Sequence, residues 1–176
     1  MISLIYHATG IGKTYLVAFD SREFGSVLFI AHREEILNQA ARTFSNVRGS
    51  KEIGFYNQKN KDSKKKILFA SVQTLSRREY LKLFRPDQFE YIVINEFHHA
   101  SSVSYRRIVE YFKPKFLLGL TATPHRLDKK DVFQICDYNV PYEVSLFNAI
   151  NRDWLVPFQY YGIYDGTVKY ENITYL

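Results

Sequence analysis

Two short stretches of the chain carry residue types at spacings suited to chemistry. The first is His7-Ala8-Thr9-Gly10-Ile11-Gly12-Lys13-Thr14. Glycine lets a backbone approach an anion closely, so that several N–H groups point at it. A helix starting near Gly12 would aim the positive end of its dipole at the same anion. In this reading Thr9, Gly10, Ile11 and Gly12 wrap the phosphates of a nucleotide. Lys13 reaches the β and γ phosphates, and the Thr14 hydroxyl ligates Mg²⁺. The general phosphate-loop pattern has glycine where this chain has His7, so an ordinary glycine-rich turn with a surface lysine is the competing reading. The second stretch is Asn95-Glu96-Phe97-His98-His99, which follows the apolar run Tyr91-Ile92-Val93-Ile94. A phosphate loop needs an acidic partner on another strand to hold Mg²⁺ and position the attacking water. Glu96 would orient or deprotonate that water. His98 would report on the site to neighbouring segments.

These residues need strands and helices to hold them. Ile2 to Tyr6 reads as a strand, followed by the glycine loop and a helix from Lys13 to about Phe24. Val27 to Ala31, Lys66 to Ala70, Tyr91 to Ile94 and Phe116 to Leu120 are short apolar runs of the kind buried on both faces. Ile36, Ala40 and Phe44 keep a helical stripe through Arg33 to about Phe44, and a second helix is expected near Tyr105 to Phe112. This alternation predicts an α/β fold with a mainly parallel sheet covered by helices on both faces. Both chemical stretches then emerge at the C-terminal ends of strands, where ligands sit in open α/β sheets. From Lys129 the texture changes. Val144 to Ile150 reads as a short helix, and Phe158 to Tyr164 as an aromatic strand.

With the order of segments in view, the chain resembles the superfamily 2 helicases and translocases. Asn95-Glu96-Phe97-His98 resembles their Asp-Glu-x-His box, and His7 to Thr14 resembles motif I. Ala31 to Ala40 resembles motif Ia, Ser71-Val72-Gln73-Thr74-Leu75 a nucleic-acid-contacting motif, and Thr121-Ala122-Thr123-Pro124 motif III. The nearest likeness is to the DNA-acting branch of restriction translocases and repair helicases. The resemblance implies a three-layer RecA-like P-loop NTPase lobe over residues 1–128, with 129–176 leading toward a second RecA-like lobe that this chain lacks. It implies ATP and Mg²⁺ as cofactors, with Lys13, Glu96 and His98 as the catalytic residues and Thr14, Asn95 and Glu96 at the metal. His98, Thr121 and Thr123 would couple hydrolysis to movement, because in such sheets the strand ending at Thr121 lies between those carrying motifs I and II. Without that resemblance, Thr121 and Thr123 merely shape a turn ahead of Pro124. Arg33, Gln73 and Thr74 would touch nucleic acid, DNA rather than RNA, at its backbone.

Two departures shape the functional expectation. The family's box begins with aspartate, and Asn95 carries no charge; a unit charge pair about 4 Å apart is worth roughly 4 kcal/mol at an effective dielectric near 20. The change should weaken Mg²⁺ and slow hydrolysis more than it weakens nucleotide binding. Six residues precede His7, too few for the family's adenine-reading glutamine segment. An ATP-binding lobe with little turnover on its own is therefore expected. A degenerate, non-catalytic nucleotide- or nucleic-acid-binding module is the alternative. A small nucleotide kinase would share the phosphate loop but not the pairing of Glu96-x-His98 with Thr121-x-Thr123.

Composition sets the outer bounds. At 176 residues a single domain is expected, and 46% hydrophobic with 24% charged residues excludes a disordered or fibrous chain. The net charge of +6 favours a polyanionic partner. Lys59, Lys61, Lys64, Lys65 and Lys66 concentrate part of it, either at nucleic acid or in a solvated loop. The lone Cys136 excludes an internal disulfide framework and points to a reducing compartment, taken as the cytoplasm. No apolar run approaches the roughly 18 residues of a membrane span. The opening segment lacks the basic region of a signal peptide, and no Cys or His spacing suggests zinc.

Overall fold

The computed structural model describes residues 2–7, 12–99, 102–122, 136 and 138–157, with residues 6 and 7 described as backbone. Its centre is a sheet of seven parallel strands in the order β3-β4-β2-β5-β6-β1-β7. These are β1 (Ile2–His7), β2 (Val27–Ala31), β3 (Ile53–Tyr56), β4 (Ile67–Ser71), β5 (Tyr91–Asn95), β6 (Phe116–Thr121) and β7 (Tyr142–Val144). All of β2 and β4 is buried, as continuous apolar runs require when helices cover both faces. The fold class expected from the sequence is the one observed.

Because side chains alternate along a strand, each run feeds two cores. Val27, Phe29, Ile67, Phe69, Tyr91 and Val93 face one layer, while Leu28, Ile30, Leu68, Ala70, Ile92 and Ile94 face the other. The first layer is closed by α1 (Lys13–Asp20) and α2 (Glu34–Arg48), through Val17, Leu37, Ala40 and Phe44. There Phe29, Phe44 and Phe69 meet with ring centroids 5.3–6.1 Å apart. The second layer is closed by α3 (Val72–Leu75), α4 (Arg78–Leu81) and α5 (Val103–Tyr111), with Phe84, Phe89 and Phe112 filling between them.

Several boundaries differ from the sequence reading for visible reasons. Helix α1 stops at Asp20 and passes into a 3-10 turn, Ser21–Glu23, instead of running to Phe24. Ser21 Oγ donates to the Ala18 carbonyl, and the Arg48 guanidinium donates to the carbonyls of Ser21 and Phe24. That same anchor draws α2 four residues past Phe44. Strand β3 was not anticipated: it is four residues long, half-exposed on one face, and interrupted by Gly54. A Cβ at Gly54 would lie 2.5 Å from Lys65 Cγ, so glycine admits the lysine-rich loop against the strand. The segment read as one helix from Val144 splits into β7 and a helix α6 (Leu146–Asn151), which Ser145 caps by accepting from the Asn148 N–H at 3.1 Å. β7 lies beside β1, and Asn139 ties the approach to it by donating from Nδ2 to the Ile2 carbonyl and to Ser3 Oγ. The expected strand Phe158 to Tyr164 lies outside the described residues.

Candidate active site

All strands are parallel, so their exits gather at one edge. Lys13 and Thr14 open α1 there, Asn95 ends β5 and Thr121 ends β6. Between them lies a cleft of about 630 Å³, lined among others by Gly12, Lys13, Thr14, Asn95, Glu96 and Thr121. Strand β6 pairs with β5 on one side and β1 on the other, which brings the two chemical stretches to the same cleft.

Gly12 caps α1 with φ +78°, a left-handed conformation that glycine adopts without steric cost. It accepts the Leu16 N–H at 3.1 Å. Lys13 is half-buried, and burial lowers the pKa of its ammonium. An ammonium partly stripped of water gains strongly from an anionic ligand. Thr9, Gly10 and Ile11 lie outside the described residues.

The turn after β5 is built with strain. Glu96 has φ +59°, a conformation that costs a residue with a Cβ about 1–2 kcal/mol. The His99 N–H closes the turn onto the Glu96 carbonyl at 3.0 Å. Phe97, fully buried, holds it down. Its ring lies flat over Gly119 of β6, where a Cβ would sit 2.4 Å from the ring. That packing sends Glu96 and His98, on either side of Phe97, into the cleft. His98 Nδ1 and Thr121 Oγ1 are hydrogen-bonded at 3.1 Å, and Thr121 is 1% exposed. Which atom carries the proton depends on the tautomer. Thr123 lies outside the described residues.

The residues expected at nucleic acid stand along the same edge, at the exits of β2 and β4. Arg33 is exposed and precedes α2, whose first turn carries Glu34 and Glu35. Gln73 is exposed and donates from Nε2 to the His32 carbonyl at 2.9 Å, joining the two exits. Thr74 is buried, and its hydroxyl accepts from Ser71 Oγ at 3.0 Å. In the lysine run, Lys61 donates to the Asn57 carbonyl and lies over the rings of Tyr56 and Tyr80, and Lys65 donates to the Lys51 carbonyl.

Three residues of the site went unread in the sequence. Gln39 and Thr43 line the cleft from α2; the signal was a polar pair spaced i, i+4 beside the apolar stripe. Gly119 was the third, and a glycine inside an apolar strand marks a close approach.

Fold and site together define the N-terminal RecA-like lobe of a superfamily 2 helicase of the restriction-enzyme-like branch. Residues 2–126 match the family described as type III restriction enzyme, res subunit, and the chain belongs to that family. It is 31% identical over 170 residues to the Saccharomyces cerevisiae protein named "Putative ATP-dependent helicase IRC3", covering 84% of this chain and 24% of that protein. It is 28% identical over 172 residues to the type I restriction enzyme EcoAI endonuclease subunit of Escherichia coli, covering 89% and 21%. Its fold matches the Pyrococcus furiosus Hef helicase domain with a TM-score of 0.65 and 24% identity, over 80% of this chain and 34% of that one. The chain thus spans about a quarter of the length of the yeast protein. Among the described residues no helix is long and apolar enough to cross a membrane.

Proposed function

We propose that this chain is the ATP-binding first lobe of a DNA-dependent motor ATPase, a helicase or translocase. The cleft that brings Lys13 and Thr14 opposite Glu96, with His98 tied to Thr121, carries the reading. Lys13 would neutralise the transferring phosphates, and Glu96 would hold the attacking water in line. His98 and Thr121 would pass a change at that water to β6, with Thr123 as the expected second partner. The Thr14 hydroxyl, the Asn95 amide oxygen and the Glu96 carboxylate are hard oxygen donors, a set that fits Mg²⁺ shared with phosphate oxygens. When bound, the ion would offset charge developing on the phosphate. Arg33, Gln73 and Thr74 mark the strand-facing edge, and kinship with a type I restriction enzyme subunit favours DNA over RNA. A second RecA-like lobe would complete the catalytic site, so this lobe alone is expected to turn over little. The lone cysteine is in keeping with a reducing compartment, the cytoplasm in this reading.

The test is thermal melting with ATP or ADP. Nucleotide should raise the melting temperature of the parent, and Lys13→Ala should abolish the rise; an unchanged rise overturns the phosphate-loop assignment. Asn95 favours one other reading, a lobe that binds nucleotide or nucleic acid without hydrolysis. In a chain that includes the second lobe, Asn95→Asp should raise DNA-stimulated phosphate release roughly tenfold or more, about 1.4 kcal/mol of barrier. Continued silence would favour the binding module.

A further inference from the structure

We propose that a small pocket at the start of α5 binds a phosphodiester group of the nucleic-acid strand, with the Tyr105 hydroxyl as its buried donor. The proposal rests on the nucleic-acid reading above and adds a contact outside the motifs that suggested it. The pocket holds about 210 Å³ and is lined by the apolar Val72 and by the polar residues His32, Gln73, His99, Ser102, Ser104 and Tyr105. It therefore shares His32 and Gln73 with the exits of β2 and β4, and His99 with the turn that carries Glu96.

Tyr105 is 3% exposed, and its hydroxyl has no hydrogen-bond partner among the described residues. Leaving a buried hydroxyl unsatisfied costs free energy, whereas phenylalanine would fill the same volume without that cost. A ligand that accepts its hydrogen bond explains the tyrosine. Burial and the nearby charge of Glu96 both raise the pKa of the phenol, so it stays protonated and able to donate.

The ligand's sign follows from the surroundings. Ser102 caps the nine-residue α5 by position, yet its side chain makes no capping bond, and the first turn carries no acidic residue. The N–H groups there remain open to an anion. At α2, by contrast, Glu34 and Glu35 already occupy the favourable end of the dipole. Besides Val72, the lining side chains are hydroxyls, imidazoles and an amide; the Glu96 carboxylate acts on the Tyr105 phenol but is not part of the lining. Such a lining suits a phosphate oxygen. The His99 ring stacks on Tyr105 at 6.2 Å and lies 4.3 Å from the His98 ring. A phosphate seated there would thus press on residues leading to the hydrolytic turn.

Fluorescence anisotropy with a labelled single-stranded DNA oligonucleotide tests this on the whole protein, with melting temperature measured in parallel. Tyr105→Phe should weaken DNA binding about tenfold while leaving the melting temperature unchanged or higher. Ser102→Asp supplies a better helix cap and an opposing charge, so it should raise or hold the melting temperature and weaken DNA at least as much. If the parent binds DNA and both variants bind it equally well, the pocket assignment is overturned and the motor reading stands. If inorganic phosphate stabilises the parent but not Tyr105→Phe while DNA affinity is unchanged, the pocket takes free phosphate and the strand assignment falls. If the parent binds no DNA, the nucleic-acid reading itself fails and this proposal with it.

Discussion

The turns that follow β5 and β4 leave the same sheet edge, two strands apart, and are fixed by different forces. After β5, Glu96 sits in a left-handed conformation because Phe97 is clamped against Gly119. After β4, the Ser71 and Thr74 hydroxyls pair, and Gln73 reaches across to the His32 carbonyl. One turn is held by steric packing in a dry core, the other by hydrogen bonds, one of them exposed. Packing fixes a side chain's position closely, as the water-aligning role proposed for Glu96 would require. An exposed hydrogen bond exchanges with water at little net cost, so the β4 turn can re-form its bonds around a ligand.

Gly119→Ala would test the packed side most severely. The new methyl cannot coexist with the Phe97 ring, and overpacking of this kind costs about 1–3 kcal/mol. Urea unfolding should show that loss, and nucleotide should no longer stabilise the variant as it does the parent. A variant of parental stability would mean that the ring is free to shift and that the turn is not sterically held. Ser71→Ala would act more gently on the bonded side. It leaves the buried Thr74 hydroxyl short of its donor, at a cost of about 1 kcal/mol. Nucleotide-induced stabilisation should survive it, because the cleft is untouched. Equal losses in the two variants would erase the distinction between the turns.

The contrast also explains what the sequence made legible. Short continuous apolar runs such as Val27 to Ala31, alternating with helical stripes, have the pattern of doubly buried strands, so the sheet and its layers were readable. The Glu96-x-His98 spacing after an apolar run is local, and the turn it forms at the end of β5 is in the structure. The bond between His98 and Thr121 was expected from family likeness and is present, since it depends on strand order that the family shares. What stayed hidden depends on distant neighbours. β3 is four residues long with a glycine inside it, too short to announce itself; only pairing with β4 makes it a strand. Arg48 lengthens α2 by bonding to carbonyls more than twenty residues earlier in the chain. The unsatisfied hydroxyl of Tyr105 is a tertiary fact, and its residue type alone reads as ordinary core.

The lysine-rich loop, met first as a concentration of charge, has a mechanical consequence. It folds back on β3 through an antiparallel bridge between Tyr56 and Lys61, and the Asp62 N–H donates to the Phe55 carbonyl at 3.0 Å. The Asp62 carboxylate accepts the Phe55 N–H in return. The outermost strand of the sheet thus has hydrogen-bonding groups already spent, behind a row of positive side chains. A neighbouring chain seeking a strand to pair with meets a closed border there, and the molecule is guarded against edge-to-edge aggregation on that side.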